Sequence, residues 1–194
     1  MLEVMTVAKK LTVDDLYARG EDVREELIHG EILRKALPSP VHQSHEGALL
    51  VWAGRRFNRA NGGRWPGGWR IFTEIHTVYD RHEVFCHDLA GWRRDRLDPR
   101  SPQWVRVRPD WVCEVLSPSH EKRDLIDKLG VMYAAGVPDY WVIDYEEKIL
   151  FMYQHGSTGY VVSTVGTGAV IRARPFEAVE LRTAVLFGDE DDEE

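Results

Sequence analysis

The stretch 109-PDWVCEVLSPSHEKRDLIDKLGVMYAAGVPDYWVID-144 sets two apolar runs on either side of a charged segment with helical spacing. Residues 111–116 and 140–145 are rich in β-branched and aromatic side chains and read as strands. Between them, 119–135 places Leu125, Leu129 and Met132 on one stripe. A helix is expected there, capped by Ser117 or Ser119 and closed by Gly136 and Pro138. The odd residue is Glu114. Its own face carries Val112 and Leu116, so this is not a solvated face, and a carboxylate prone to burial needs a partner.

Working outward, Thr12 followed by Asp14 and Asp15 marks a helix start, and that helix ends by Gly20. The run 25-EELIHGEILRKA-36 reads as two short strands turning at His29-Gly30. After the break at 38-PSP-40, Ala48, Leu49, Val51, Trp52 and Phe57 recur at helical spacing, which predicts a long helix from His42 to Ala60. The stretch 61–68 is loop. Strands are expected over 69–79, 83–92, 104–108, 149–154, 160–165 and 169–173, with a polar, Pro-containing loop over 93–103. This order predicts a mixed α/β (α+β) fold, a mixed sheet flanked by helices.

At 194 residues and 43% hydrophobic, the chain suits one domain over residues 1–188 with a sizeable core. Its longest apolar stretch, around 47–54, is too short to span a membrane. Two cysteines in strand-like runs, Cys86 and Cys113, read as reduced thiols of a cytoplasmic protein. The net charge of −7 lies mostly in 189-DEDDEE-194; without those six acids, 25 Lys and Arg face 26 Asp and Glu. That end reads as a disordered, solvated tail. The near-neutral body promises no broad basic face. Its local clusters are Arg55, Arg56 and Arg59; Arg93, Arg94 and Arg96; and Arg106 and Arg108, each of which surface solubility alone could explain.

Two acids side by side on adjacent strands are what a hard divalent ion asks for, and phosphodiester hydrolysis uses such an ion. The candidates are Glu74, Asp88, Asp110 and Glu114. Asp110 and Glu114 share a strand but stand roughly 13 Å apart, too far to hold one ion. If 83–92 pairs beside 111–116, Asp88 and Glu114 meet at the strand spacing of about 5 Å, and Glu74 can extend the row. Asp110 then marks the start of its strand. A cation is also wanted near the reacting phosphate. The position two residues after Glu114 is Leu116, so Lys128 in the following helix is the candidate. Its competing reading is a surface pair with Asp124, four residues earlier. The order His42, His45, Glu46 does not match the zincin pattern, and no C-x-x-C pair supports zinc. There is no P-loop, dinucleotide fingerprint or nucleophile elbow. Trp65, Trp69 and Trp92 could stack bases, but core packing explains Trp better.

The runs 88-DLAGWRRDRL-97, 110-DWVCEVLSPS-119 and 136-GVPDYWVID-144, with Asp124, Lys128 and Tyr133, resemble the Uma-two family of restriction-endonuclease-like proteins, within the PD-(D/E)XK nuclease superfamily. The upstream 26-ELIHGEIL-33, 38-PSPVHQ-43 and 74-EIH-76, and 175-PFEAVEL-181, also fit, so the similarity runs from Thr12 to Leu186. It implies a restriction-endonuclease-like core and a Mg²⁺- (or Mn²⁺-) dependent endonuclease acting on DNA, duplex or structured. It puts the motif Asp on Asp88, the motif Glu on Glu114 and a migrated lysine on Lys128; Glu74, extending the row of carboxylates, would support the ion directly or through water. His87 stands where the family has Pro. Duplex cleavage would suit a homodimer. The alternative is a catalytically silent nucleic-acid-binding or regulatory module on the same fold, for which the missing basic face argues.

Overall fold

The structure, a computed structural model, describes residues 9–20, 24–100, 104–116 and 126–192. Helix α1 (Val13–Tyr17) starts on a capping box: the Thr12 side chain accepts from the Asp15 backbone N–H, and the Asp15 side chain accepts from the Thr12 N–H. Strands β1 (Glu25–Ile28) and β2 (Glu31–Arg34) form the expected hairpin, and His29 and Gly30 at its turn both have positive φ. Helix α2 (Pro40–Arg56) is capped by Ser39 with Pro in its first turn. It stops four residues short of the expected end, at Arg56, because Phe57 turns into the core.

Strands β3 (Trp69–Asp80) and β4 (Glu83–Arg93) make a long antiparallel hairpin. Then come β5 (Trp104–Val105), β6 (Trp111–Val115), α3 (Lys128–Ala134), β7 (Asp139–Asp144), β8 (Ile149–His155) and β9 (Tyr160–Gly166). The main sheet runs β2-β1-β4-β6-β7-β8-β9, with β3 on β4 and β5 on β3; β6 and β7 pair in parallel and flank α3 in the chain. It is the mixed sheet flanked by helices that the residues predict. The 104–108 strand shortens to β5, and 169–173 to β10 (Val170–Ile171). Strand β11 (Leu181–Arg182), which pairs with β10, and helix α4 (Thr183–Leu186) were not foreseen. The first part of the expected 119–135 helix, with Asp124, lies outside the described residues.

Phe176 anchors the core under α2. Its ring centroid lies 4.6–5.9 Å from those of Trp52, Phe57, Trp69, Trp111 and Trp141. Burying each such side chain stabilises the fold by about 1.5–3 kcal/mol. The second face buries Phe85, Ala90, Trp92, Val112, Leu116 and Met132. Trp69 and Trp92 are therefore core residues, not bases' stacking partners. Cys86 and Cys113 are buried free thiols. No helix among the described residues is long and apolar enough to cross a membrane. The acidic end departs from a free solvated tail in its described part: Asp189 pairs with Lys148, Glu190 with Arg182 and Asp192 with Arg56.

Candidate functional site

One edge of β4 is laddered to β3 with a gap at Asp88, and its other edge is shared. Strand β1 meets it only at Val84, and β6 takes over from Leu89 to Gly91. Between the two lie residues 85–88, where side chains take the place of a neighbouring strand. The Cys86 N–H donates to Glu26 Oε1 (3.0 Å) and the Asp88 N–H to Glu114 Oε2 (3.3 Å). The Cys86 carbonyl accepts from Lys35 Nζ at 2.9 Å. In return, Asp88 Oδ2 accepts from the Val115 N–H at 2.7 Å. Asp88 and Glu114 thus stand side by side, each bonded to the other's strand, and a buried backbone group finds a partner. This is the physical reason for a carboxylate in an apolar strand.

The alternation of β4 also slips here. Phe85 and Ala90 pack in one cluster although they stand five positions apart, an odd offset that regular alternation would put on opposite faces. Across the ladder, Glu74 holds φ of 47°, a left-handed backbone that a non-glycine residue adopts at a cost.

Cations surround the pair. Lys35, just past β2, places Nζ 2.6 Å from Asp88 Oδ1 and 3.5 Å from Glu74 Oε1. From the opening of α3, Lys128 Nζ lies 2.9 Å from Glu26 Oε1 and 3.3 Å from Glu114 Oε1. His87 Nδ1 is 2.7 Å from Glu114 Oε1, while its Nε2 meets the Tyr79 hydroxyl at 2.8 Å. From α2, His42 Nε2 approaches Asp88 Oδ2 to 3.3 Å without making a proper hydrogen bond, and Glu46 stands one turn further along.

These charges move the acids apart. Burial pushes Asp88 up, but the Lys35 ammonium and the His42 ring override it and hold the carboxyl far below the usual range. Burial raises Glu114 to about 7; Lys128 opposes this and Asp88 adds to it. Glu46 is also raised to about 7, by burial and then by Asp88 and Glu74. Burial lowers the Lys35 ammonium, yet Asp88 and Glu114 raise it overall, so it stays charged.

Asp88, Glu114, Glu74 and Lys128 therefore gather in one place, and Lys128 is 1% exposed rather than a surface residue. Asp110 lies apart, accepting from the Arg93 N–H and pairing with Arg96. Residues missed by sequence reasoning are Lys35, Glu26 and Glu46, together with the placements of His42 and His87 around the pair. The one available signal was His42 and Glu46 at i and i+4 on α2, visible only as a failed zinc pattern.

Among the described residues, no group of three His, Cys, Asp or Glu side chains is already arranged to hold a metal ion. The donor chemistry nevertheless fits a hard divalent ion. Among the described residues, five carboxylates, from Glu26, Glu46, Glu74, Asp88 and Glu114, gather around Lys35, Lys128, Arg24 and the His42 ring. Glu74 Oε1 is buried with no hydrogen bond. The oxygens that would hold the ion are those of Asp88, Glu114 and Glu74, with Glu46 beside them.

The fold is similar to the crystal structure of a putative nuclease belonging to DUF820 from Anabaena variabilis ATCC 29413. The two chains are 19% identical, the match covers 92% of this chain and 98% of that one, and the TM-score is 0.77. No curated protein matches the chain. The Uma2 family, described as "Putative restriction endonuclease", matches residues 12–184. With nearly the whole chain covered and the motif positions meeting at the split edge of β4, the chain belongs to the Uma2 family.

Proposed function

We propose that the protein is a Mg²⁺- (or Mn²⁺-) dependent endonuclease that hydrolyses phosphodiester bonds of DNA, with residues 1–188 as its nuclease domain. The observation that carries the reading is the meeting of the Asp88, Glu114 and Glu74 carboxylates with Lys128, buried where the sheet leaves an opening. Asp88, Glu114 and Glu74 would hold the ion, which when bound supplies charge neutralisation at the phosphoryl group and activates a water. Lys128 fixes the Glu114 carboxylate and sets a positive charge against it; Lys35 does the same for Asp88 and Glu74. Two ammonium groups held in a water-poor site compensate negative charge developing at an attacked phosphate. His87, held by Tyr79, orients Glu114. The free thiols suit a reducing cytoplasm.

One observation favours the second reading, a catalytically silent nucleic-acid-binding or regulatory module. All four oxygens of Asp88 and Glu114 already have protein partners, with Lys35 in the seat a cation would take. Incubation of supercoiled and linear DNA with Mg²⁺ or Mn²⁺ separates the two. Nicking or cleavage that EDTA and Asp88→Asn both abolish supports the endonuclease. Equal activity in Asp88→Asn, or none with either ion, favours the silent module.

A further inference from the structure

At the far end of α2 from the candidate site lies a groove of about 690 Å³, lined by Arg56, Arg64, Trp65, Arg172, Arg182 and Asp192 among others. Arg56 lies fourteen helical positions after His42, which places the groove about 20 Å from Asp88's surroundings. The lining holds four arginines and two acids: Glu180, which pairs with Arg172 at 3.1 Å, and Asp192 from the acidic end.

Arg56 is built into the groove rather than laid over it. It is 5% exposed, and its guanidinium lies over the rings of Trp52 (5.6 Å) and Trp65 (5.1 Å). Its Nη1 also donates to the Trp52 carbonyl at 3.0 Å. Both terminal nitrogens then hold Asp192 as a fork, Nη1 to Oδ2 and Nη2 to Oδ1, each at 2.8 Å. The Arg56 Nε remains buried with no hydrogen-bond partner. Beside it, Arg182 holds Glu190 Oε2 through Nη1 and the Asp191 carbonyl through Nη2, each at 3.0 Å. Arg64 stands over the Trp65 ring at 5.0 Å.

A rigid guanidinium fork is matched by a carboxylate or a phosphate, and a phosphate brings more oxygens than the tail's carboxylate can offer. We propose that this groove binds a phosphate group of a nucleic-acid strand, and that the acidic end of the chain occupies it as an internal competitor through Asp192. The nuclease reading contributes only the class of ligand. A strand lying on the candidate site would reach the groove about six nucleotides away, at roughly 3.4 Å per phosphate along one strand. The groove would therefore grip the substrate away from the bond being cut, and the tail would weaken that grip.

The test is binding of a labelled single-stranded oligonucleotide in EDTA, followed by fluorescence anisotropy, with every variant in an Asp88→Asn background. Asp192→Asn should tighten binding by about threefold or more, because a tethered competitor acts at roughly millimolar effective concentration. Adding Arg56→Gln or Arg182→Gln should remove that gain, and more salt should shrink it. Arg182 is partly exposed, so Arg182→Gln carries the test if Arg56→Gln does not fold. Binding unchanged by Asp192→Asn, or a gain that survives both arginine variants, overturns the proposal. So does equal displacement by inorganic phosphate at the oligonucleotide's concentration, which would assign the groove to a small free anion. Because the assay contains no metal and reads no cleavage, failure of the nuclease assignment would leave its outcome untouched.

Discussion

Lys35→Met is the substitution that most directly probes the cation seat. Methionine keeps the aliphatic stem and removes the ammonium lying 2.6 Å from Asp88 Oδ1 and 3.5 Å from Glu74 Oε1. Asp88 is 1% exposed, and removing one partner of a buried ion pair costs about 3–5 kcal/mol. There is a ceiling on that cost, because Asp88 can take a proton instead. From an ordinary carboxyl pKa near 4, doing so at pH 7 costs about 4 kcal/mol. The Val115 N–H and the His42 ring remain to soften the loss. We expect destabilisation of about 3 kcal/mol at pH 7 in EDTA, or roughly 10 °C of melting temperature in a chain of this size.

The pH dependence of that deficit follows from the direction of the Asp88 shift. In the wild type Asp88 is held far below its ordinary value, so its contribution is present above about pH 4 and lost as pH falls toward the folded value. In Lys35→Met the folded value rises, so the deficit is small near pH 4–5 and grows toward pH 8. A divalent ion at a hundred times its Kd restores about 2.7 kcal/mol, and it should help the variant more than the wild type, where the ammonium competes. Thermal and urea melts at three pH values, with EDTA or Mg²⁺, measure both effects. A variant that melts like the wild type in EDTA at pH 7, or an equal Mg²⁺ shift in the two proteins, would refute this account of Lys35.

Lys128→Ala should cost several kcal/mol in urea unfolding, because it takes a buried ammonium away from Glu26 and Glu114; a loss of a few tenths would return Lys128 to a surface role. Glu46 and Glu114 are both raised to about 7, so the metal-free protein should lose stability as pH rises from about 4.5 through 7, by about 3 kcal/mol for each acid. Glu46→Gln should roughly halve that slope; an unchanged slope in pH-dependent melts would show that Glu46 does not take up the proton. Burial pushes the Cys86 thiol up to about 12 and the Cys113 thiol well above its ordinary value. Native protein at pH 8 should therefore resist alkylation while unfolded protein labels at both positions, and mass spectrometry that finds rapid native labelling would contradict the buried placement.

Much of the sheet was legible because apolar periodicity is a local property. The strands around Cys86 and Cys113, the His29-Gly30 turn and the Thr12 cap each depend on a handful of neighbouring residues. Glu114 was legible because a carboxylate among Val112 and Leu116 demands a partner, and strand pairing then singled out Asp88. Lys35, Glu26, His42 and Glu46 were not, since they reach the pair from a hairpin and a helix whose docking no local pattern encodes. The helix over α2 is legible from its apolar stripe, which says nothing of what its polar positions meet, and His42 and Glu46 are buried. Short strands such as β11 fail for another reason: two residues carry no period.

The split edge of β4 also explains why folding and chemistry are entangled in this site. The Asp88 and Glu114 side chains replace ladder partners, so each is needed by the backbone before any substrate arrives. Asn at position 88 can still accept from the Val115 N–H, whereas Ala leaves that buried donor unsatisfied, at about 1–3 kcal/mol. Both substitutions leave Lys35 without its nearest negative charge. Loss of cleavage in Asp88→Ala alone would therefore report a damaged sheet as readily as a missing ligand. Asp88→Asn retains the acceptor and removes the charge. If it melts several degrees above Asp88→Ala and still fails to cleave, the carboxylate's charge serves the chemistry, and its hydrogen bond to Val115 serves the fold.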